Sequence, residues 1–168
     1  MDVGGHLAWG VRDTFLDYVT AIEDHRIEVD GARFDSDGGQ FVFPLGDAVT
    51  GPHESVVRAS GGVTFWGHEG ALDLTIADPT VVLNDDGATL QVKAAGTELV
   101  VARLLGRPPA VQHGSPWHWS GVEVALTAQG ADLWGGVYGP WARMAPLDLV
   151  VPAWTQPTAG QRAALSPG

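Results

Sequence analysis

GGVTFWGHEGALDLTIADPTVVLNDDGATLQVKAAGTELVVARLL, residues 61–105, is the stretch whose reading decides the fold. From Ala71 to Leu83 apolar and polar residues alternate, the period of two expected of a half-buried strand. Asp78-Pro79 interrupts that run, and a proline cannot donate to a ladder, so a bulge or an edge is expected there. Asn84-Asp85-Asp86-Gly87 is a turn signal, and it leads into two further strands, Ala88–Ala94 and Thr97–Leu105. On the other side, Ser55–Ala59 and Val63–Gly67 read as a pair of strands joined at a Gly61-Gly62 turn.

Working outward, the same short strands recur. Ile27–Val29 and Gln40–Phe43 fit the pattern, the second ended by Pro44, and so do Gly121–Thr127 and Leu147–Val151. Thr127 is chemically suited to cap a short helical stretch, Ala128 to Leu133. Gly106 to Ser115 reads as a proline-rich loop, and 152–168 as a polar tail behind a domain spanning 1–151. One segment departs from this pattern. In LAWGVRDTFLDYVTAI, residues 7–22, Val11, Phe15, Tyr18 and Ile22 recur at helical spacing, which predicts a helix with Tyr18 pointing inward or along the edge of the buried face. The expected fold is mostly β: a two-sheet antiparallel β-sandwich or open barrel with one amphipathic N-terminal helix and a short C-terminal helical turn.

Composition excludes several classes of function. The 168 residues contain no cysteine, so disulfides, zinc–thiolate sites and iron–sulfur clusters are ruled out. A formal net charge of −11 repels phosphate backbones, and nucleic acid is not an expected partner. No run of 18 apolar residues is present, so no membrane insertion by a helix is expected. The opening MDVGGHLAWG lacks the basic region and apolar run of a secretory leader. An intracellular site is expected if Met1 is the natural start, and an extracellular or envelope site if a leader has been removed. Seven tryptophans against two tyrosines suit core packing, or a flat ligand if the indoles are exposed.

Nucleophile-elbow, zincin, phosphate-loop and dinucleotide signatures are all missing. His113 and His118 flank Trp117 in the proline-rich loop at a spacing that fits no standard zinc pattern, while His6, His25 and His53 read as solvated loop residues. His68 stands apart. It lies in FWGHEG, where glycines on both sides of a His-Glu pair permit a bulge or a close approach by another group. Taken singly, His68 is as readily a structural histidine, and Tyr18 a core tyrosine with its hydroxyl on a carbonyl.

Four ordered segments change that weighing. LAWGVRDTFLDYV at 7–19, FVFPLG at 41–46, GGVTFWGHEGALDLTIADP at 61–79 and LTAQGADLWGGVYGPWARMAPLDLV at 126–150 together resemble the haem-transport-associated (HtaA) domain family. The resemblance implies a two-sheet β-rich fold with a short helix that binds haem in surface or secreted uptake systems of actinobacteria. It implies ferric haem b as the cofactor, and as a further partner another haem-binding protein or transporter component in a relay. By the same resemblance the tyrosine of the first motif, here Tyr18, ligates iron, and the histidine of the G-H-x-G motif, here His68, hydrogen-bonds it. Trp9, Phe15, Trp66 and Tyr138 are candidate walls for the ligand. Thr14 keeps a hydroxyl where the family has serine, whereas Leu16 replaces a basic residue that could pair with a propionate. Trp134 stands for the family's closing aromatic, and Ala145-Pro146-Leu147-Asp148 reshuffles its D-P motif. No catalysis is expected.

Three other readings remain at this level. A tryptophan-rich β-domain could stack sugar rings as a glycan-binding module. An intracellular relative could keep the fold with altered or lost haem binding, as a chaperone, sensor or interaction domain. A small-molecule enzyme could use His68 and Glu69 as acid and base.

Overall fold

The computed structural model describes residues 5–109 and 115–152. It contains eleven strands: β1 (His6–Trp9), β2 (Arg26–Asp30), β3 (Arg33–Asp35), β4 (Gln40–Thr50), β5 (Glu54–Ala59), β6 (Gly62–Gly67), β7 (Leu72–Asn84), β8 (Gly87–Ala94), β9 (Thr97–Leu105), β10 (Trp117–Leu126) and β11 (Arg143–Val151). Two helices, α1 (Asp13–Ala21) and α2 (Ala128–Leu133), and a 3-10 turn at His68–Gly70 complete it. Neither helix is long and apolar enough to cross a membrane.

The mostly-β expectation holds, and its layering is corrected. All the strands belong to one sheet, and the antiparallel order β1-β4-β5-β7-β8-β9-β10-β11 returns to β1, a closed eight-stranded barrel in place of two packed sheets. Closure depends on β7, which pairs with β5 on one side and β8 on the other over Thr80–Asn84. Eight strands leave an interior that side chains can just fill. Leu7, Trp9, Phe43, Leu90, Val124, Leu147 and Leu149 fill it, all buried in one continuous cluster.

The first three residues of the expected helix, Leu7–Trp9, are strand. Leu7 and Trp9 face the barrel interior from β1, which is paired on both edges, to Phe43 and Phe41 of β4 and to Leu149 and Leu147 of β11. A helix there would leave two ladders unpaired, a cost that local propensity cannot offset. Gly10 then passes under the carbonyl of Gly39, where a Cβ would sit 2.5 Å from the oxygen. Val11 takes φ 63, and the helix starts only at Asp13. His6, expected in a loop, is the first residue of β1.

Other boundaries move for the same reason. β4 continues through Pro44 to Thr50, because β1 pairs with its first half and β5 with its second. β10 begins at Trp117, so His118 is a strand residue, and β11 begins at Arg143. The Asn84–Gly87 turn, the β8 and β9 strands and the Thr127 cap are as expected, the Thr127 Oγ1 accepting from the Gly130 amide at 3.0 Å. His113 and nearly all of the tail from 152 lie outside the described residues.

The largest revision concerns Gly61. Instead of a hairpin, β5 and β6 lie end to end along the same edge of β7, with Arg58 opposite Thr80 and Gly62 opposite Ala77. The ribbon bends between them. Gly61 adopts φ 106 and Asp78 φ 48, the Asp78 amide donates to the Gly61 carbonyl at 2.8 Å, and the Gly61 amide donates to Asp78 Oδ1 at 3.2 Å. The expected bulge at Asp78-Pro79 is the inner side of this bend. Beyond it, β6 and the first half of β7, with β2 added outside β6, form a three-stranded arm that leaves the barrel.

Candidate functional site

The arm carries α1. Phe15, Val19 and Ile22 form the buried stripe, Phe15 edge-on to Phe65 of β6 with ring centroids 5.1 Å apart. At about 100° per residue, Tyr18 falls on the shoulder of that stripe. It is 51% exposed, so of the two expected placements, inward or along the edge of the buried face, the structure has the edge. Ile22, just past the helix, sits on Gly67, where any Cβ would lie 3.0 Å from its Cγ2.

After Gly67 the chain turns tightly. His68 and Glu69 have φ of 51 and 56, left-handed values unusual for residues with a side chain, and Gly70 follows at φ 98. Such residues cost roughly 1–3 kcal/mol each unless their surroundings hold them. Here Asp24 holds them, accepting from the His68 amide at Oδ1 and from the Glu69 amide at Oδ2, both at 2.8 Å. Donation by the Glu69 amide, and then by the His68 amide, lowers the Asp24 carboxyl below its ordinary pKa.

The turn places His68 beside Tyr18, with ring centroids 6.1 Å apart and planes at 50°. Both line a cleft of about 560 Å³, within the roughly 300–1,000 Å³ usual for small-molecule sites. Its floor is Phe15, Leu74 and Trp134; the opposite wall is Leu133 at the end of α2 with Val137 and Tyr138 after it. Trp134 is wedged edge-on between Trp9 at 6.3 Å and Phe15 at 6.2 Å. The Arg12 guanidinium lies 4.5 Å from the Tyr138 ring centroid, a cation against an aromatic face at that wall. A wider hollow of about 1020 Å³ beside Glu28, Asp30 and Asp78 offers carboxylates and glycines, without converging apolar groups.

Of the residues singled out in the sequence, the structure brings Tyr18, His68, Phe15 and Tyr138 to one cleft. Trp9 is buried beneath it and gives its indole N–H to the Ala145 carbonyl at 2.9 Å. Trp66 alternates away from the core-facing Phe65 and stacks under Arg26 at 4.1 Å. Thr14 lies one turn before Tyr18 on the exposed helix surface, outside the lining, and Leu16 packs against the core. Leu72, Asp73, Leu133 and Val137 join the lining; they lie within the segments that carry the family resemblance but were not singled out as site residues. Asp24 was missed too, for its carboxylate acts across 44 residues of sequence. Trp141 is the one largely exposed indole among the described residues, so they form no row of stacking platforms for sugars.

The donor set is two phenols, one imidazole and one carboxylate over an apolar floor, with the Arg12 cation against the Tyr138 ring, which suits a flat, largely apolar ligand. Among the described residues, no group of three or more His, Asp or Glu is placed to hold a bare metal ion.

The sequence matches the family described as Htaa over residues 4–150. No curated protein matches it. Among solved structures, it is similar to the C-terminal domain of HtaA from Corynebacterium glutamicum, at 22% identity and a TM-score of 0.76, over 87% of this chain and 94% of that one. The N-terminal domain of the same protein gives 24% and 0.75, over 90% and 98%. The heme binding protein HtaB from Corynebacterium glutamicum gives 23% and 0.69, over 88% and 91%. At these identities the likeness is one of fold.

Proposed function

The chain belongs to the HtaA family, and on that premise we propose that it binds ferric haem in haem uptake or transfer, and that the Tyr18 phenolate would hold the iron. What carries the reading is the convergence of the Tyr18 and His68 rings on an apolar cleft of suitable size. Support for haem as the ligand comes from the family and from the named binding of the similar HtaB.

Haem supplies a hard ferric centre, for which an anionic oxygen is a fitting ligand. A free phenol titrates near 10, so ionising one at pH 7 costs about 4 kcal/mol. A single neutral hydrogen bond contributes about 1 kcal/mol, so His68 does not suffice, and the charge of the ligated cation must offset most of the cost. The His68 imidazole then has an orienting part, donating to the phenolate oxygen and limiting its basicity. Phe15, Leu74 and Val137 bury the macrocycle, at roughly 25 cal/mol per Å² of apolar surface removed from water. Arg12, stacked on Tyr138, supplies a cation for a propionate despite the acidic balance of the chain. The assigned role is carriage of haem and not turnover.

Hemin titration followed by visible spectroscopy tests the reading. Tyr18→Phe and Tyr18→Ala are expected to abolish the tyrosinate spectrum. Both should weaken binding by more than the ~10–100-fold typical of losing an outer-shell partner. A spectrum unchanged by both substitutions would remove Tyr18 as the ligand.

A further inference from the structure

Tyr18 and His68 sit on separate pieces of chain, and something must set the distance between them. Besides the Phe15–Phe65 contact and the β2–β6 ladder, two contacts join those pieces at the turn itself. The first is apolar: Ile22 rests directly on the bare Cα of Gly67 and seats the end of α1 on the end of β6. The second is polar. Asp24, six residues past Tyr18 on the same segment, receives the amides of His68 and Glu69 on its two oxygens, each at 2.8 Å. Successive residues with φ of 51 and 56 turn neighbouring N–H groups into one concavity, a nest suited to an anion, and the Asp24 carboxylate occupies it. The Ala71 amide closes the turn on the His68 carbonyl at 3.0 Å and the Gly67–Leu72 pair flanks it, while the Asp24 anion is the partner that offsets the strain of the left-handed pair. Relaxation to extended or right-handed backbone would carry the imidazole away from the phenol, because the direction of a side chain follows its own backbone angles.

We propose that Asp24 is the positioning residue of this site: its carboxylate locks the His68–Glu69 turn so that the imidazole faces Tyr18 across the cleft. The functional half of this statement rests on the reading of Tyr18 as the haem ligand; the geometric half does not.

The test uses two readouts that need no haem and one that does. In haem-free protein, nuclear Overhauser contacts between the Tyr18 and His68 rings and hydrogen exchange of the His68 and Glu69 amides report the clamp. Asp24→Ala is expected to abolish the ring contacts and speed exchange of both amides at least ~10-fold, with the melting temperature of the barrel nearly unchanged. Hemin affinity should fall about tenfold, with a shifted spectrum. Ring contacts and exchange rates that survive Asp24→Ala would overturn the proposal, whatever hemin does. If the contacts and amides respond but the Tyr18 substitutions leave the hemin spectrum intact, the haem assignment fails while the positioning role stands. Should the alanine variant not fold, Asp24→Asn keeps one carbonyl acceptor and is expected to release one of the two amides. Protection of both would again overturn the idea.

Discussion

The two halves of β7 live in different worlds. Thr80–Asn84 is a wall of the closed barrel, paired on both edges, with Val81 and Leu83 buried. Leu72–Ala77 belongs to the arm, paired with β6 along one edge and supporting a helix and a cleft. The barrel has spent its interior on packing: an eight-stranded ring filled by Trp9, Phe43 and their neighbours leaves no room for a ligand. Space for the candidate site arises beyond the bend at Gly61 and Asp78, where the far end of the arm meets the end of α2 and the chain after it. Stability and recognition are thus separated along a single strand, and the turn that carries His68 and Glu69 holds two adjacent left-handed residues on the recognition side.

That separation can be broken from either end. The largest effect is expected from the barrel. Phe43→Ala should cost about 3–5 kcal/mol in urea unfolding, yet leave the hemin spectrum of the folded fraction unchanged. A changed spectrum would mean that the barrel interior and the cleft are coupled. Next comes the bend. Gly61 has φ 106, and a Cβ there would fall 2.7 Å from the Gly31 backbone, so Gly61→Ala should cost about 1–3 kcal/mol. It should also disturb hemin binding far more than Phe43→Ala does. Hemin binding that ignores Gly61→Ala would detach the site from the bend.

The smallest effects are those of pH, and they should differ between the regions. On the barrel, burial and then the nearby Arg33 lower the His6 pKa from its ordinary 6.5, against an opposing pull from Asp148. A group whose folded pKa is depressed stabilises the fold above its unfolded value. The His6 contribution is therefore complete above 6.5 and lost as pH falls through the lower folded value. His6→Gln should flatten the dependence of unfolding free energy on pH in that window, and an unaltered slope would reject the assignment. On the arm, the Asp24 carboxyl is also depressed, so its contribution is lost only as pH falls below about 3.8. Mild acid should loosen the barrel contribution first and spare the turn that holds His68.

How much of this was legible beforehand depends on the range of the interaction. Alternation from Ala71 to Leu83, the turn at Asn84–Gly87 and the Thr127 cap are written in neighbouring residues, and all are found where expected. LAWG was misread as helix because its spacing fits both periods, and only β4 and β11, from distant parts of the chain, decide for a strand. Gly61 was misread as a hairpin turn, since a glycine pair marks a reversal and a bend alike, and the choice depends on which edge of β7 is free. Tyr18 and His68 were singled out through a family resemblance; helical spacing left Tyr18 inward or at the edge of the buried face, and only the packing of α1 on β6 decides for the edge.

By itself the sequence determined the period of its strands, its turns, its lack of thiol chemistry and its family. The periods, the turns and the lack of thiol chemistry follow from side chains acting within a few residues or from composition, and the family from the resemblance of four ordered segments between residues 7 and 150. The tertiary structure alone decided that the sheet closes on itself, that the ribbon bends out of the barrel, and that Asp24 clamps a turn 44 residues away. Those outcomes turn on which backbone donors and acceptors find partners at long range, and no local pattern encodes that pairing.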